Sequence, residues 1–314
     1  MKALVTGGAG FIGSNIVGLL IEKGYFVRVL DNLSTGYFQN LNPYIQNENF
    51  QFIGGDVRDF KSVKKAMKDI DVVFHLAASV GRQRSLDYPQ LDSKINLIGT
   101  INILEAMRTY DVKKIIYSSS AAIFGELQES TIDETHPQNA DSPYGISKLA
   151  AEKMILAYND LYSMSGICLR YFNIYGINQR FDLYGNVIPI FVKQILSNEK
   201  LTIYGDGKQI RDFVYVSDIA QANFLASKSN ESGVFNIGSG NSISINELAD
   251  LMQKIAGIEC PIQYVHERKA DVKHCRANAK KILDRLGFKT NITLCDGLQK
   301  YINWYNNNCM GKNS

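Results

Sequence analysis

The amino-acid sequence predicts a doubly wound α/β fold, a parallel sheet with helices on both faces, followed by a smaller C-terminal lobe. Three observations carry that expectation. Strand-like apolar runs alternate with helical segments through the first half, a glycine-rich loop joins the first run to the first helix, and turn signals crowd together beyond Arg170. Alternation of this kind means a parallel sheet, because parallel neighbours need a crossover connection between them.

The first strand is Lys2–Thr6. After Gly10, residues Ile12, Ile16, Leu19 and Leu20 fall on one helical face at steps of three and four, and Gly24 stops the helix. Further strands are expected at Phe26–Leu30, Phe50–Ile53, Val72–Leu76 and Lys114–Ser118. The runs VVFHLAA and KIIYSSS are apolar at successive positions, which suits strands buried on both faces. Past Arg170 the elements shorten between turns at Gly185-Asn186, Gly205-Asp206-Gly207, Gly238-Ser239-Gly240 and Gly257. The expected organisation is a Rossmann-type domain over residues 1–173 and a second lobe over 174–314, with a segment near 212–237 returning to the first domain.

Composition narrows the partners. In 314 residues, 34 basic and 31 acidic side chains leave a formal charge of +3, too small and dispersed for a nucleic-acid surface. No apolar run reaches the length of a membrane span, and the first residues lack a charged segment followed by an apolar core, so a cytoplasmic protein with a small-molecule partner is expected. Cys168, Cys260, Cys275, Cys295 and Cys309 are scattered without C-x-x-C spacing, which predicts reduced thiols, no disulfide framework and no metal site.

Directly after the first strand, Gly7-Gly8-Ala9-Gly10-Phe11-Ile12-Gly13 satisfies G-x-G-x-x-G between strand and helix. Such a loop lets backbone amides and a helix N-terminus meet a pyrophosphate closely. Asp31 stands at the end of the second strand, where a carboxylate accepts from both ribose hydroxyls and repels a 2′-phosphate. These features predict a dinucleotide, NAD in preference to NADP. Asp56 and Val57 after the third strand, and Leu76, Ala77 and Ala78 after the fourth, lie at the strand ends that line such a site.

A tyrosine and a lysine four residues apart on a helix share a face, so the ammonium can stabilise a phenolate and lower the phenol's pKa toward working pH. Three pairs have the spacing: Tyr110/Lys114, Tyr144/Lys148 and Tyr204/Lys208. The first runs from a helix end into a strand and the third crosses a glycine turn. Only Tyr144/Lys148 opens a helix, with Pro143 at its start. The fifth strand runs into Ser118-Ser119-Ser120, which delivers a hydroxyl, Ser120, to the same end of the sheet.

With these residues in view, the chain resembles the extended short-chain dehydrogenase/reductase family, in particular its NAD-dependent nucleotide-sugar 4-epimerases of the UDP-galactose and UDP-N-acetylglucosamine type. The carriers are TGGAGFIGSN at Thr6–Asn15, DNLSTG at Asp31–Gly36, GDVRD at Gly55–Asp59, SSSAAIFGE at Ser118–Glu126 and SPYGISK at Ser142–Lys148. LRYFNIYG at Leu169–Gly176, NVIP at Asn186–Pro189, LTIYGDG at Leu201–Gly207 and RDFVYVSDIA at Arg211–Ala220 extend the likeness over nearly the whole chain. The resemblance implies that Tyr144 is the base, Lys148 its electrostatic partner and a ribose ligand, and Ser120 a helper at the sugar's oxygen 4. It implies that Asn32, Asn96, Ser118 and Tyr171 join the cofactor site. Asn173, Asn186, Val187, Tyr204, Arg211, Arg268 and Asp271 would surround the substrate's nucleotide and diphosphate.

The implied reaction is inversion at carbon 4 of a UDP-hexose through a 4-keto sugar with retained NAD. Similar 4,6-dehydratases carry an acid pair after the serine or threonine, where this chain has Ala121 and Ala122. Similar UDP-glucuronate 4-epimerases usually have threonine in place of Asn173; that reading ranks second, and a non-catalytic NAD-binding regulator third. Cys275 resembles the family's gatekeeper beside carbon 2, and its small side chain implies acceptance of UDP-GlcNAc and UDP-GalNAc alongside UDP-Glc and UDP-Gal; a slip of one residue would put His274 or Arg276 there. A homodimer is implied through helices around Leu91–Arg108 and Lys148–Ser163, with Leu97, Ile98, Ile101, Ile103, Leu149, Met154, Ile155 and Leu161 as the candidate shared surface, or alternatively packed on the sheet.

Overall fold

Seven strands form one parallel sheet: β1 (Lys2–Thr6), β2 (Phe26–Asp31), β3 (Phe50–Gly54), β4 (Val72–His75), β5 (Lys114–Ser120), β6 (Ser165–Tyr171) and, late in the chain, β11 (Gly233–Ile237). Their order is β11-β6-β5-β4-β1-β2-β3, a doubly wound arrangement with its reversal between β1 and β4. The computed structural model describes residues 1–126, 129, 131–181, 185–267 and 274–310, of which His274 and Cys275 are described by their backbone alone.

Alternate residues of each central strand enter opposite cores, as the period of two requires. Ala3, Val5, Val72, Phe74 and Ile116 pack on one face. Leu4, Val73, Ile115 and Tyr117 pack on the other. Both faces are therefore covered, the condition for a parallel sheet. The first face is covered by α1 (Phe11–Glu22) and, from the second half, α8 (Val216–Lys228). The second is covered by α2 (Phe60–Met67), α5 (Gly99–Thr109) and α6 (Pro143–Tyr162), while the short α3 (Arg82–Asp87) and α4 (Pro89–Ser93) lead into α5 through a π-helical turn, Lys94–Ile98.

The strand expectations hold with small shifts at the ends. Leu76 lies just outside β4, and β5 continues to Ser120 because Ser118, Ser119 and Ser120 pair with Leu169, Arg170 and Tyr171 of β6. The remaining elements are short: β7 (Asn173–Tyr175), α7 (Val187–Leu196), β8 (Leu201–Tyr204), β9 (Ile210–Arg211), β10 (Phe213–Tyr215), β12 (Ile243–Ser244), α9 (Ile245–Ala256), β13 (Ile262–Val265), β14 (His274–Cys275), α10 (Lys280–Leu286) and α11 (Leu294–Tyr305). They make three small sheets, β10-β7, β13-β8 and β12-β9-β14, beside the carboxyl edge of the large one.

Registration brings the site together. Thr6 is level with Leu30 on one side and His75 on the other, and His75 with Tyr117. Everything that follows these residues is thus delivered to one edge of the sheet, the edge where such folds bind ligands.

Candidate active site

A cleft of about 640 Å³ opens along that edge. One wall is the loop from β1 to α1. Gly7 has φ +69°, and a Cβ added at Gly13 would lie 2.2 Å from the Gly7 carbonyl oxygen, so only glycine allows this close turn. Gly10 caps α1 without a side-chain hydrogen bond, and the first turn holds no acidic residue. The positive end of α1 therefore faces the cleft uncompensated, which favours an anion.

His75 holds the next wall in place. The Thr100 hydroxyl donates to the Asn96 carbonyl at 2.6 Å, so it accepts from His75 Nε2 at 3.0 Å, and His75 Nδ1 then accepts from the Thr6 hydroxyl at 2.7 Å. Burial pushes the His75 pKa down to about 3 and keeps the ring neutral. Thr6 Oγ1 also accepts from the amides of Leu76 and Ala77, both at 3.2 Å. Leu76, Ala77 and Ala78 consequently line the cleft.

Asp31 lies at the cleft, 7 % exposed. One carboxylate oxygen accepts from the Ala9 amide at 2.9 Å and the other from Leu33 at 2.8 Å, while burial raises its pKa. Each oxygen retains a second lone pair for a ligand hydroxyl. Asn32 donates to Asp56 at 2.7 Å, and the Arg58 guanidinium grips both Asp56 oxygens and holds that carboxyl down at about 2. Asn32, Asp56 and Val57 line the same end, with Gly7, Gly10, Phe11, Ile12 and Gly13.

Ser118, Ser120, Tyr144, Lys148 and Tyr171 line the middle. Pro143 occupies the first position of α6 behind the N-cap Ser142, and Tyr144 follows at once. Ser120 Oγ accepts from the Ala122 amide at 3.2 Å, and its hydroxyl pulls the Tyr144 pKa down. Lys148 is 3 % exposed and sits 4.5 Å from the ring centroid of Tyr117. Burial lowers its pKa to about 8 against the opposing pull of Asp92. Tyr144 departs from the direction the spacing predicts: burial pushes it up to about 12, outweighing the opposing pull of the Ser120 hydroxyl. The reason is that desolvation penalises a phenolate and an ammonium alike when both are enclosed. Tyr171 accepts from Ser118 at 3.1 Å and from Asn223 at 2.7 Å.

Among the expected substrate residues, Asn173, Asn186 and Arg211 line the cleft. Val187 and Tyr204 are not among its lining residues: Val187, the first residue of α7, packs against the hydrophobic core, and Tyr204 ends β8 at a glycine turn with its carbonyl accepting from Gln209. Asn96 is also outside the lining. It is buried with its amide committed to Ser79, Asp92 and Ser147, which ties the turn after β4 to α6. Arg268 and Asp271 lie outside the described residues; for Cys275 the described backbone pairs with Arg211 across β14 and β9.

Several lining residues carry no sequence signal. Arg82 is bound to both oxygens of Asp141 at 2.8 Å, and Gln179 and Arg180 enter from the segment after β7. Asp92, fully buried under Lys148 and bonded to Ser147 at 2.6 Å, was recoverable only as an i,i+4 neighbour of Asn96. Among the described residues no group of His, Cys, Asp or Glu could hold a metal ion, and no helix is long and apolar enough to cross a membrane.

Comparison with known proteins places these features. The family model described as GDP-mannose 4,6 dehydratase matches residues 4–301. UDP-glucose 4-epimerase of Thermotoga maritima, solved with UDP-glucose, superposes with a TM-score of 0.93 at 37% identity, covering 98% of this chain and 99% of that one. UDP-N-acetylglucosamine 4-epimerase of Methanobrevibacter ruminantium, in complex with UDP-N-acetylmuramic acid, gives 0.93 at 36% identity and 97% of both chains. UDP-glucose 4-epimerase of Thermus thermophilus, in complex with NAD, gives 0.89 at 34% identity, with 97% of this chain and 99% of that one.

Proposed function

Since the chain belongs to the GDP-mannose 4,6 dehydratase family of extended short-chain dehydrogenase/reductases, we propose that it is an NAD-dependent UDP-sugar 4-epimerase. The observation that carries the reading is Tyr144 and buried Lys148 lining one cleft with Ser120, where the next two residues after Ser120 are Ala121 and Ala122. A dehydratase must protonate a leaving hydroxyl, and neither alanine has a proton to give. The 4-epimerase structures it resembles support the same choice.

The residues fit a dinucleotide: glycines where a Cβ would collide with backbone, an uncapped helix N-terminus, and Asp31 at the end of β2. The cofactor seen with the Thermus relative agrees. In this reading Gly10, Phe11 and Ile12 hold the phosphates, Asp31 the adenosine ribose, and Lys148 the other ribose. NAD supplies, when bound, a two-electron acceptor that makes oxidation and re-reduction at one carbon redox-neutral. As a phenolate, the form that the Lys148 ammonium and a positively charged nicotinamide would favour over the raised value of the ligand-free chain, Tyr144 would accept the proton from the hydroxyl on carbon 4 and return it, with Ser120 hydrogen-bonding the same oxygen. Arg211 grips the substrate diphosphate in charge-assisted hydrogen bonds, and the 4-keto sugar turns about that anchored linkage to present its other face.

With Cys275 as gatekeeper beside carbon 2, the N-acetylated sugars are substrates together with UDP-Glc and UDP-Gal. A homodimer is part of the same proposal.

Proton NMR of the protein incubated with UDP-GlcNAc, and separately UDP-Glc, without added nicotinamide tests the reading. The 4-epimer is expected in both tubes, and Tyr144→Phe slows its appearance by about 10²- to 10⁴-fold, the usual contribution of a general base. Conversion of UDP-Glc alone removes the assignment of Cys275. Conversion of neither, with UDP-glucuronate turned over instead, replaces the substrate class, and undiminished turnover by Tyr144→Phe removes the base.

A further inference from the structure

Arg180 is placed with care but has no partner among the described residues that explains it. Its guanidinium lies 4.5 Å from the ring centroid of Tyr37 and 5.9 Å from that of Trp304. Its Nε is buried without a hydrogen-bond partner, and its Nη1 reaches only Cys309 Sγ at 3.8 Å, a weak acceptor. No carboxylate of the described residues pairs with it. Beside it, Gln179 Oε1 is also buried without a partner, and both side chains line the cleft. A guanidinium that is partly desolvated and without a charged partner among the described residues is costly, and an anion in the cleft would complete it.

The surrounding contacts locate that anion. Asn15, in the first turns of α1, donates to the Ile177 carbonyl at 3.2 Å, and Asn178 donates to Ser14 Oγ at 3.0 Å. These bonds lay the segment that follows β7 against the start of α1. Tyr37, on which Arg180 stacks, donates its amide to the Ala9 carbonyl at 3.0 Å, inside the glycine loop. Arg180 is thereby held at the same helix N-terminus that lacks both a side-chain cap and an acidic residue.

We propose that Arg180 is a ligand for the diphosphate of the dinucleotide, a clamp that closes over the glycine loop from the opposite wall of the cleft. Stacking between Tyr37 and Trp304 fixes the planar fork before the ligand arrives, so little freedom is lost on binding. The proposal rests on the NAD reading above. It predicts slow release of the cofactor, because the diphosphate is gripped from two elements far apart in the chain.

The test is binding rather than turnover. Titration calorimetry with NAD, NADP and UDP on cofactor-stripped protein compares wild type, Arg180→Met and Arg180→Lys. Met keeps an apolar stem between the two rings and removes the charge; Lys keeps a charge without the fork. Trp304 is the chain's single tryptophan, so its fluorescence gives a second readout at this spot. The expected result is NAD affinity weakened about 10- to 100-fold in Arg180→Met, the scale of a charged hydrogen bond, with partial recovery in Arg180→Lys and unchanged binding of UDP. Unchanged NAD affinity in Arg180→Met overturns the proposal. So does an equal loss for UDP, which would assign Arg180 to the substrate diphosphate, or a loss for NADP alone, which would assign it to a 2′-phosphate. A wild type that binds no NAD refutes the cofactor reading itself, whereas one that binds NAD but epimerises nothing leaves the clamp standing.

Discussion

Lys148 and Tyr144 are driven in opposite directions by the same burial, one toward a neutral amine at about 8 and the other toward a neutral phenol at about 12. Desolvation disfavours whichever form is charged. An unfolded lysine stays protonated up to its ordinary 10.5. Between about 8 and 10.5 the unfolded chain therefore binds more protons than the folded one, and stability contributed by this group rises with pH through that window. Folded Tyr144, at about 12, keeps its proton through the window, and the unfolded tyrosine, ionising at its ordinary 10.0, opposes the rise only at the window's upper end, in wild type and variant alike. Lys148→Met removes the rise. Urea unfolding of cofactor-free wild type and variant from pH 7 to 10.5 is expected to show the wild type gaining on the variant by on the order of a few kcal/mol. Parallel pH dependences would mean that Lys148 is not desolvated as described.

At the scale of elements, β5, β6 and α6 are locked together by one buried pair. Arg170 on β6 donates to both Glu152 oxygens, at 2.6 and 3.1 Å, and Glu152 on α6 also accepts from Ser119 at 2.8 Å. Arg170 and Glu152 are 1% and 0% exposed. Ser119 immediately precedes Ser120 and Glu152 lies one helical turn beyond Lys148, so this pair fixes the strand end against the helix that carries Tyr144. Glu152→Ala leaves the Arg170 charge buried and uncompensated, a loss of about 3–5 kcal/mol in denaturant unfolding. A loss below about 1 kcal/mol, the worth of a surface pair, would show that water reaches Arg170. Neither residue stands out in the sequence: they are separated by a whole helix-to-strand connection, and only the packing of α6 on the sheet brings them together.

Across the whole molecule, the proposed dimer face needs apolar side chains left in solvent. Leu91, Ile98, Ile146 and Leu161 are such residues, with Leu161 70% exposed. They project from α4, the π-helical turn and α6, which also contribute the half-buried Leu97, Leu149 and Met154. Ile103 and Ile155, expected on the same surface, are fully buried beneath the sheet and belong to its core. Helical period places them a half-turn away from the exposed set, a distinction composition alone does not make. Light scattering is expected to give twice the chain mass for wild type and the single mass for Leu161→Glu combined with Ile98→Glu. A wild type at the single mass would remove the dimer.

The sequence by itself determined the strand–helix alternation, the glycine loop with Asp31 and the Tyr144/Lys148 helix. All of these follow from periodicity and steric rules that act within a few residues. Tertiary structure alone decided that Asn96 braces α6 and that Val187 packs against the hydrophobic core. It also decided that Tyr144 is raised rather than lowered, and that Arg180 meets Tyr37 and Trp304 at the start of α1. Burial and long-range contact set those outcomes, and neither has a local period that a sequence can display.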